Sequence, residues 1–303
     1  MSSFPSISTQ EITINHSDVV KEIGAIDLNN ANAVSENNNS ITEIKQDIIE
    51  QLESKNESKE LVANGGDVTI PPPLKKRIII GVPGDKFSHN FLMCWTRTLY
   101  TLWESGKYEV IIAPGTSSFV SFARMKTLGL DVLRGKDQKP FGGDIDYFAW
   151  ITLDSDIVYN PNCILELLAA LEVRPVVAGY YAMADGKSFA VVKDWDTHYF
   201  AKNGTFKFLQ KEDIDRWQAD TQQLFMPVSY SGLGFFGARK EVLDSLKYPY
   251  FNADLQRIDG IDGVELVDIC SEDVAFCKNI QKAGFEISLH TNLRVLHEKP
   301  ILL

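Results

Sequence analysis

The rhythm of apolar and polar positions changes twice along the chain. Up to about Asn39, isolated aliphatics are scattered through Ser, Asn, Thr and Glu, a composition that buries too little surface to order itself, so residues 1–39 are predicted to be a disordered tail. In "SITEIKQDIIEQLESKNESKELV", Ile41, Ile44, Ile48 and Leu52 recur on one helical face, and Ser40 with Glu43 makes a capping-box pattern. An amphipathic helix over 40–63 follows. It is too short for the three or four heptads of a coiled coil, so packing on its own domain outranks a partner role, although its apolar face is a candidate for oligomerisation. "GGDVTIPPPLKK" then reads as a linker over 64–75, its three prolines holding the chain extended.

From 76 to 303 strands and helices alternate. "RIIIGVP" and "YEVIIAP" are continuous apolar strands, and between them "SHNFLMCWTRTLYTLWESG" is a helix opened by Ser88 and closed near Gly106. A helix around Phe119–Leu128 leads through a loop rich in Gly, Lys and Asp into the strand "DYFAWITL", and a further helix is entered through Asn160 and Pro161. Strands buried on both faces and joined by helices imply a mostly parallel sheet whose ligands sit at the carboxyl ends of its strands. Beyond this point "PVVAGYY", "SFAVVKDW" and "TFKFL" read as strands, "SGLGFFGARKEVLDSL" as a glycine-rich strand running into a helix, and "SEDVAFCKNIQKAGFEISLH" as a helix with Gly284 near its stop and a strand behind it.

Charge sharpens this division. Residues 1–70 hold twelve Asp and Glu against four Lys, so most of the formal net charge of −11 lies ahead of the alternating region. No basic stripe is present to neutralise phosphates, which argues against nucleic-acid binding. The four cysteines, Cys94, Cys163, Cys270 and Cys277, lie beside apolar residues and form no C-x-x-C pair, the usage of core thiols in a reducing compartment. Neither a basic-then-apolar leader nor a membrane-length apolar run appears, so the expectation is a soluble, cytoplasmic protein without a membrane span.

Chemistry is suggested where "DYFAWITL" ends in Asp154 and Asp156. Two carboxylates at the end of a buried strand repel one another and resist desolvation unless a cation or a solvated turn lies there. D-x-D also occurs at Asp144/Asp146, Asp194/Asp196 and Asp213/Asp215, so the pattern alone is weak. Only the 154–156 pair combines a fully apolar preceding strand with a following turn and helix, and its oxygen ligands suit Mg²⁺ or Mn²⁺. Asp194 and Asp196 follow a strand as well, with Trp195 between them as a wall of a groove.

With these residues in place the chain resembles the GT-A glycosyltransferases, the nucleotide-sugar-dependent enzymes with a D-x-D motif, over about Lys76 to Pro300. "SFARMK", "ITLDSDIVYNPN", "VVAGYY", "GLGFFGARKEVL", "SEDVAFCKNIQKAGFEI" and "VLHEK" appear in the family's order, and similar compact enzymes occur in phages, large DNA viruses and bacteria. The resemblance implies an α/β GT-A fold with a mixed central sheet flanked by helices, behind the disordered N-terminal extension. It further implies that Asp154 and Asp156 hold a divalent metal, Mn²⁺ or Mg²⁺, that bridges the donor diphosphate. His297 falls where metal-dependent members supply a third ligand. The pair Glu272 and Asp273 falls where inverting members carry the catalytic base, here Asp273, with Glu272 orienting it or binding the acceptor; as a local pattern "SED" is equally a helix cap.

For the donor, the resemblance puts Pro83, Gly84 and Asp85 near the nucleoside, Ser155 within the D-x-D turn, and Gly232 and Gly234 beside the sugar. Arg124 is a fork of donors toward the nucleotide or its diphosphate, although the chain has Met125 where the family commonly has Asn. Tyr181 and Trp195 are candidates for stacking on acceptor sugar rings. The expected reaction moves a sugar from a nucleoside-diphosphate sugar, a UDP-sugar ahead of a GDP-sugar, to a hydroxyl of a glycan or other acceptor, with inversion. A retaining GT-A transferase, a nucleotidyltransferase and a non-catalytic glycan-binding protein with a degenerate GT-A fold are the alternatives. The absence of a Walker loop and of G-x-G-x-x-G after the first strand counts against NTPase and dinucleotide readings.

Overall fold

The computed structural model describes residues 74–261 and 263–299, all of them within the compact unit Pro71–Leu303. The expected tail at 1–39, the helix at 40–63 and the linker apart from Leu74 and Lys75 lie outside the described residues.

A βαβαβ run opens the unit: β1 (Lys76–Pro83), α1 (His89–Ser105), β2 (Tyr108–Gly115), α2 (Val120–Thr127) and β3 (Ala149–Leu153). As the sequence indicates, Ser88 caps α1 by accepting the Phe91 N–H at 3.0 Å, and Gly106 ends it at φ 65°. Next come β4 (Ile157–Val158), α3 (Asn162–Val173), β5 (Val176–Tyr180), β6 (Ser188–Val192), α4 (Thr197–Asn203), β7 (Phe208–Gln210), α5 (Lys211–Thr221), β8 (Phe225–Val228), β9 (Tyr230–Ser231), β10 (Phe235–Arg239) and α6 (Lys240–Ser245). The last described elements are β11 (Leu255–Asp259), β12 (Glu265–Ile269), α7 (Glu272–Lys282), β13 (Ile287–Arg294) and β14 (Leu296–His297).

Seven strands form the central sheet in the order β2-β1-β3-β10-β5-β13-β8. The sheet is mixed, as the resemblance implies, and not mostly parallel, as the alternation alone implies. β1 runs parallel to β2 and β3, and β13 parallel to β5, but β10 is antiparallel to both β3 and β5, and β8 to β13. The inversion of β10 matters for function. It sets Phe235 opposite Leu153, so the glycine-rich segment before β10 meets the carboxyl end of β3.

Continuous apolar strands are explained by burial on both faces. Ile78, Ile80 and Ile151 face a core closed by Phe91 and Leu102 of α1 and Leu167, Leu168 and Leu171 of α3. Ile79 and Trp150 face the opposite core, shared with Met125 of α2, Val242 of α6 and Phe276 of α7. β2 departs from the expectation of a strand buried on both sides: it is the sheet edge, and Ile112 is half-exposed.

Two small sheets finish the site. β14 pairs antiparallel with β4, setting His297 opposite Ile157, and β9 pairs with β6 beside β7.

Candidate functional site

The carboxyl ends of β1, β3 and β5, the amino end of β10, the start of α7 and the β14 strand converge on the turn Asp154–Ser155–Asp156. Gly84, just past β1, lies against Ser155, whose hydroxyl is 3.4 Å from where a Cβ on Gly84 would stand. The Asp154 N–H donates to the Gly234 carbonyl at 3.0 Å, fixing the turn to the β10 segment. Pro83 is buried as the last residue of β1, and Asp85 is exposed on the turn after it.

Asp156 faces His297. Nε2 of the imidazole is 3.1 Å from Asp156 Oδ2, and Nδ1 is 3.0 Å from the Ala182 carbonyl. A carbonyl only accepts, so Nδ1 carries the proton and donates there. Nε2 then turns toward a carboxylate oxygen, and a positive charge, either a proton or a cation, belongs between them. The Lys299 ammonium neutralises the same carboxylate from another side chain, its Nζ donating to Oδ2 at 2.7 Å. Burial alone would raise the Asp156 pKa, but Lys299 and His297 outweigh it and hold the carboxyl below its ordinary value.

These residues fit a divalent cation. Adjacent ligands on an octahedral ion with bonds of about 2.1 Å lie about 3.0 Å apart, which the 3.1 Å between Nε2 and Oδ2 matches. Mg²⁺ and Mn²⁺ sites also use one or two protein ligands, with phosphates and waters completing the shell. Asp154 does not join this pair. Among the described residues no three His, Cys, Asp or Glu side chains form a ready cluster, and the expected trio divides into Asp156 with His297 on one side and Asp154 with Arg124 on the other.

Arg124 is the largest departure from expectation. Instead of an open fork for the nucleotide, it is 4% exposed and spent on the protein itself. Nη1 and Nη2 grip Asp154 at 3.0 and 3.1 Å, Nη1 also reaches Thr152 Oγ1 at 3.2 Å, and Nε reaches Glu272 Oε1 at 3.3 Å. Burial lowers the guanidinium's pKa, yet Asp154 and then Glu272 more than reverse that. Close helix packing sets this up: Gly115 leaves room for the Ala123 carbonyl, so α2 lies hard against β2 with Arg124 beneath the end of β3.

Glu272 and Asp273 open α7, as the sequence indicates, but Ser271 does not cap it. The Ser271 hydroxyl donates instead to Asp273 Oδ1. That oxygen also accepts from the Val274 N–H at 2.8 Å, while Oδ2 accepts from the Tyr230 hydroxyl at 2.7 Å. With two lone pairs per carboxylate oxygen, the described residues saturate Oδ1 and leave one lone pair on Oδ2. Burial, followed by Asp273, raises the pKa of the Tyr230 phenol, so it stays a donor. Glu272 is raised by burial and by Asp273 against the opposing pull of Arg124.

Gly232 and Gly234 both pack closely against Tyr181. A Cβ on Gly234 would be 2.9 Å from the Tyr181 ring, and one on Gly232 would collide with its hydroxyl. Tyr181 is itself buried, accepts the Gly234 N–H at 3.1 Å and packs edge-on against His297 with centroids 5.0 Å apart. It backs the site instead of offering a stacking face. Trp195 donates to Gln281 at 3.0 Å, with Lys278 over its ring and Tyr230 at 6.3 Å, so it braces the wall behind Asp273. Of the competing pair, Asp196 caps α4 by accepting the Tyr199 N–H at 2.7 Å.

Tyr230, Ser271, Thr152 and Lys299 were not marked by the sequence. Tyr230 and Lys299 each lie two residues from a residue that was marked, Gly232 and His297 respectively. The cysteines are free, with Cys270 and Cys277 buried, and no helix of the described residues is long and apolar enough to cross a membrane.

No family model matches the sequence, and a search of curated proteins returns no match. Among solved structures, A197 from STIV is 15% identical with a TM-score of 0.39, over 75% of this chain and 96% of that one. GalNAc-T7 with UDP, GalNAc and Mn²⁺ is 11% identical with a TM-score of 0.41, over 75% of this chain and 43% of that one. A mycobacterial protein is 10% identical with a TM-score of 0.35, over 75% and 68%. Likeness at this level carries no argument about activity.

Proposed function

We propose that the chain is a GT-A glycosyltransferase that moves a sugar from a nucleoside-diphosphate sugar, a UDP-sugar in preference to a GDP-sugar, to a hydroxyl of a glycan or other acceptor, with inversion. The observation that supports this reading is the convergence, at one rim of the sheet, of a cation-compatible pair, Asp156 and His297 at 3.1 Å, with a carboxylate, Asp273, that keeps one free lone pair. Mn²⁺ or Mg²⁺ held by Asp156 and His297 would stabilise the departing diphosphate as a Lewis acid. Asp273 accepts the proton of the acceptor hydroxyl through Oδ2. Tyr230 and Ser271 fix the carboxylate for that transfer, and Glu272 sits beside it to orient it or bind the acceptor. Pro83, Gly84, Asp85 and Ser155 form the donor side.

The test is transfer and hydrolysis of a panel of UDP- and GDP-sugars by the full chain with Mn²⁺, alongside Asp273→Asn. The variant keeps the shape of the carboxylate but cannot take the proton. Its kcat is expected to fall roughly 10²- to 10⁴-fold with donor KM nearly unchanged, and the product is expected to have the anomeric configuration opposite to the donor's. Retained configuration by NMR, or near-parental kcat in the variant, contradicts the role given to Asp273.

A further inference from the structure

Arg124 carries one positive charge and shares it between two carboxylates from different parts of the fold. Asp154, at the end of β3, takes both terminal nitrogens at 3.0 and 3.1 Å, and Glu272, at the start of α7, takes Nε at 3.3 Å. Thr152 takes a further N–H at 3.2 Å. Four of the five guanidinium N–H groups are therefore committed to protein oxygens, and the side chain is almost completely shielded from solvent. A fork in this state has little to offer an incoming phosphate. Its geometry instead ties the turn that carries Asp154, Ser155 and Asp156 to the helix start that carries Asp273.

We infer that Arg124 is a positioning residue and not a donor ligand: a buried strut through which occupancy of the donor side and the charge on Glu272 are thermodynamically linked. This deepens the proposed transferase reading and rests on it for the identity of the ligand. Linkage has a direction. If Glu272 loses its charge, Arg124 neutralises Asp154 more completely, the turn becomes less negative, and a cation at the neighbouring Asp156, through which the diphosphate would bind, is held more weakly. By reciprocity, donor binding alters the hold of Arg124 on Glu272, so the acceptor side is set by the presence of the donor.

The experiment is a double-mutant cycle in the full chain with UDP plus Mn²⁺ as the probe, measured by calorimetry in the parent, Glu272→Gln, Asp154→Asn and the double variant. Glu272→Gln keeps an acceptor oxygen for Nε but removes the charge. It is expected to weaken UDP affinity about three- to tenfold in the parent background and less than twofold in the Asp154→Asn background, the non-additivity typical of groups sharing one partner. Arg124→Lys, which keeps the charge without the fork, is expected to shrink the Glu272→Gln effect in the same way. An equal effect of Glu272→Gln in both backgrounds, or none on UDP affinity in either, overturns the strut. Thermal melts of the same four proteins without ligand give an independent reading, with less-than-additive shifts expected and additive shifts counting against the linkage. A parent chain that binds no UDP with Mn²⁺ sinks the transferase reading and the donor linkage with it, while the melts still decide whether Arg124 couples Asp154 to Glu272.

Discussion

Alanine at Gly232 tests the packing that holds the site together. The new methyl would collide with the Tyr181 hydroxyl, while its next contacts, Tyr181 Cζ and Ala190 Cβ, would both be 3.1 Å away. Tyr181 is buried between His297 and the β10 segment, so it yields only by moving its neighbours. Overpacking of this kind costs about 1–3 kcal/mol, and loss of the 3.1 Å bond from the Gly234 N–H adds about 1 kcal/mol. At about 2–4 °C per kcal/mol for a domain of this size, Gly232→Ala should lower Tm by roughly 5–15 °C. Tyr181→Phe alone removes the same acceptor from the buried Gly234 N–H, at the same cost of about 1 kcal/mol. The combination is diagnostic. Without the hydroxyl, the remaining 3.1 Å contacts need only about 0.3 Å of relief to reach the ordinary range that begins at 3.4 Å. The double variant should therefore melt close to Tyr181→Phe and well above the sum of the two losses, as read by differential scanning calorimetry. Additive losses, or an unchanged Tm in Gly232→Ala, refute the close approach of Tyr181 to the glycine segment.

Two further predictions concern histidine burial and the base. Burial pushes the His290 imidazole down to about 4 from an ordinary 6.5. Its contribution to stability is therefore fully present above pH 6.5 and is lost as the pH falls toward 4, amounting to about 2.5 kcal/mol between pH 7.5 and 4.5. The Glu166 carboxyl 3.4 Å away is raised by burial and titrates with the opposite sign, so the comparison belongs in a Glu166→Gln background. There, urea unfolding should show a shallower pH dependence once His290→Gln is added, and parallel curves would contradict the assignment. Tyr230→Phe removes the 2.7 Å hydrogen bond to Asp273. A bond to a charged group is worth about 1.5–3 kcal/mol, so kcat for transfer should fall roughly 10- to 100-fold with donor KM little changed; a change confined to KM would make Tyr230 a substrate contact.

Much of this architecture was legible because the strands that build it are buried on both faces. The runs Ile78–Ile80 and Ala149–Leu153 pack into cores on either side, and such strands read as continuous apolar segments. Ser88 and Gly106 marked the bounds of α1 through local capping chemistry. What stayed hidden depends on contacts between distant segments. β4 and β14 are two residues long, too short to show a period, yet their pairing brings His297 to Asp156. The direction of β10 is not written in "FFGAR", although it decides that Gly232 and Gly234 meet the D-x-D turn. The β11–β12 hairpin was missed because its charged residues break the apolar pattern. Arg124 was visible as a helical arginine, but its burial depends on the close fit of α2 at Gly115. The glycines at 232 and 234 were noticed for a close approach, and the neighbour the fold supplies on the protein side is Tyr181, 53 residues before Gly234 in sequence.

The pairing of Asp156 with His297 carries the functional account, and UDP affinity with and without Mn²⁺ tests it most directly. Calorimetric titration of the parent chain is expected to show UDP binding that depends on Mn²⁺ and is abolished by chelation. Asp156→Asn is expected to lose the metal dependence, and His297→Ala to weaken it about 10- to 100-fold, with both variants keeping the parental fold by circular dichroism. UDP binding of equal strength in chelator, or Mn²⁺-dependent binding unchanged in both variants, would contradict a metal at this pair and leave the Lys299 ammonium, 2.7 Å from Asp156, as the positive charge of the site.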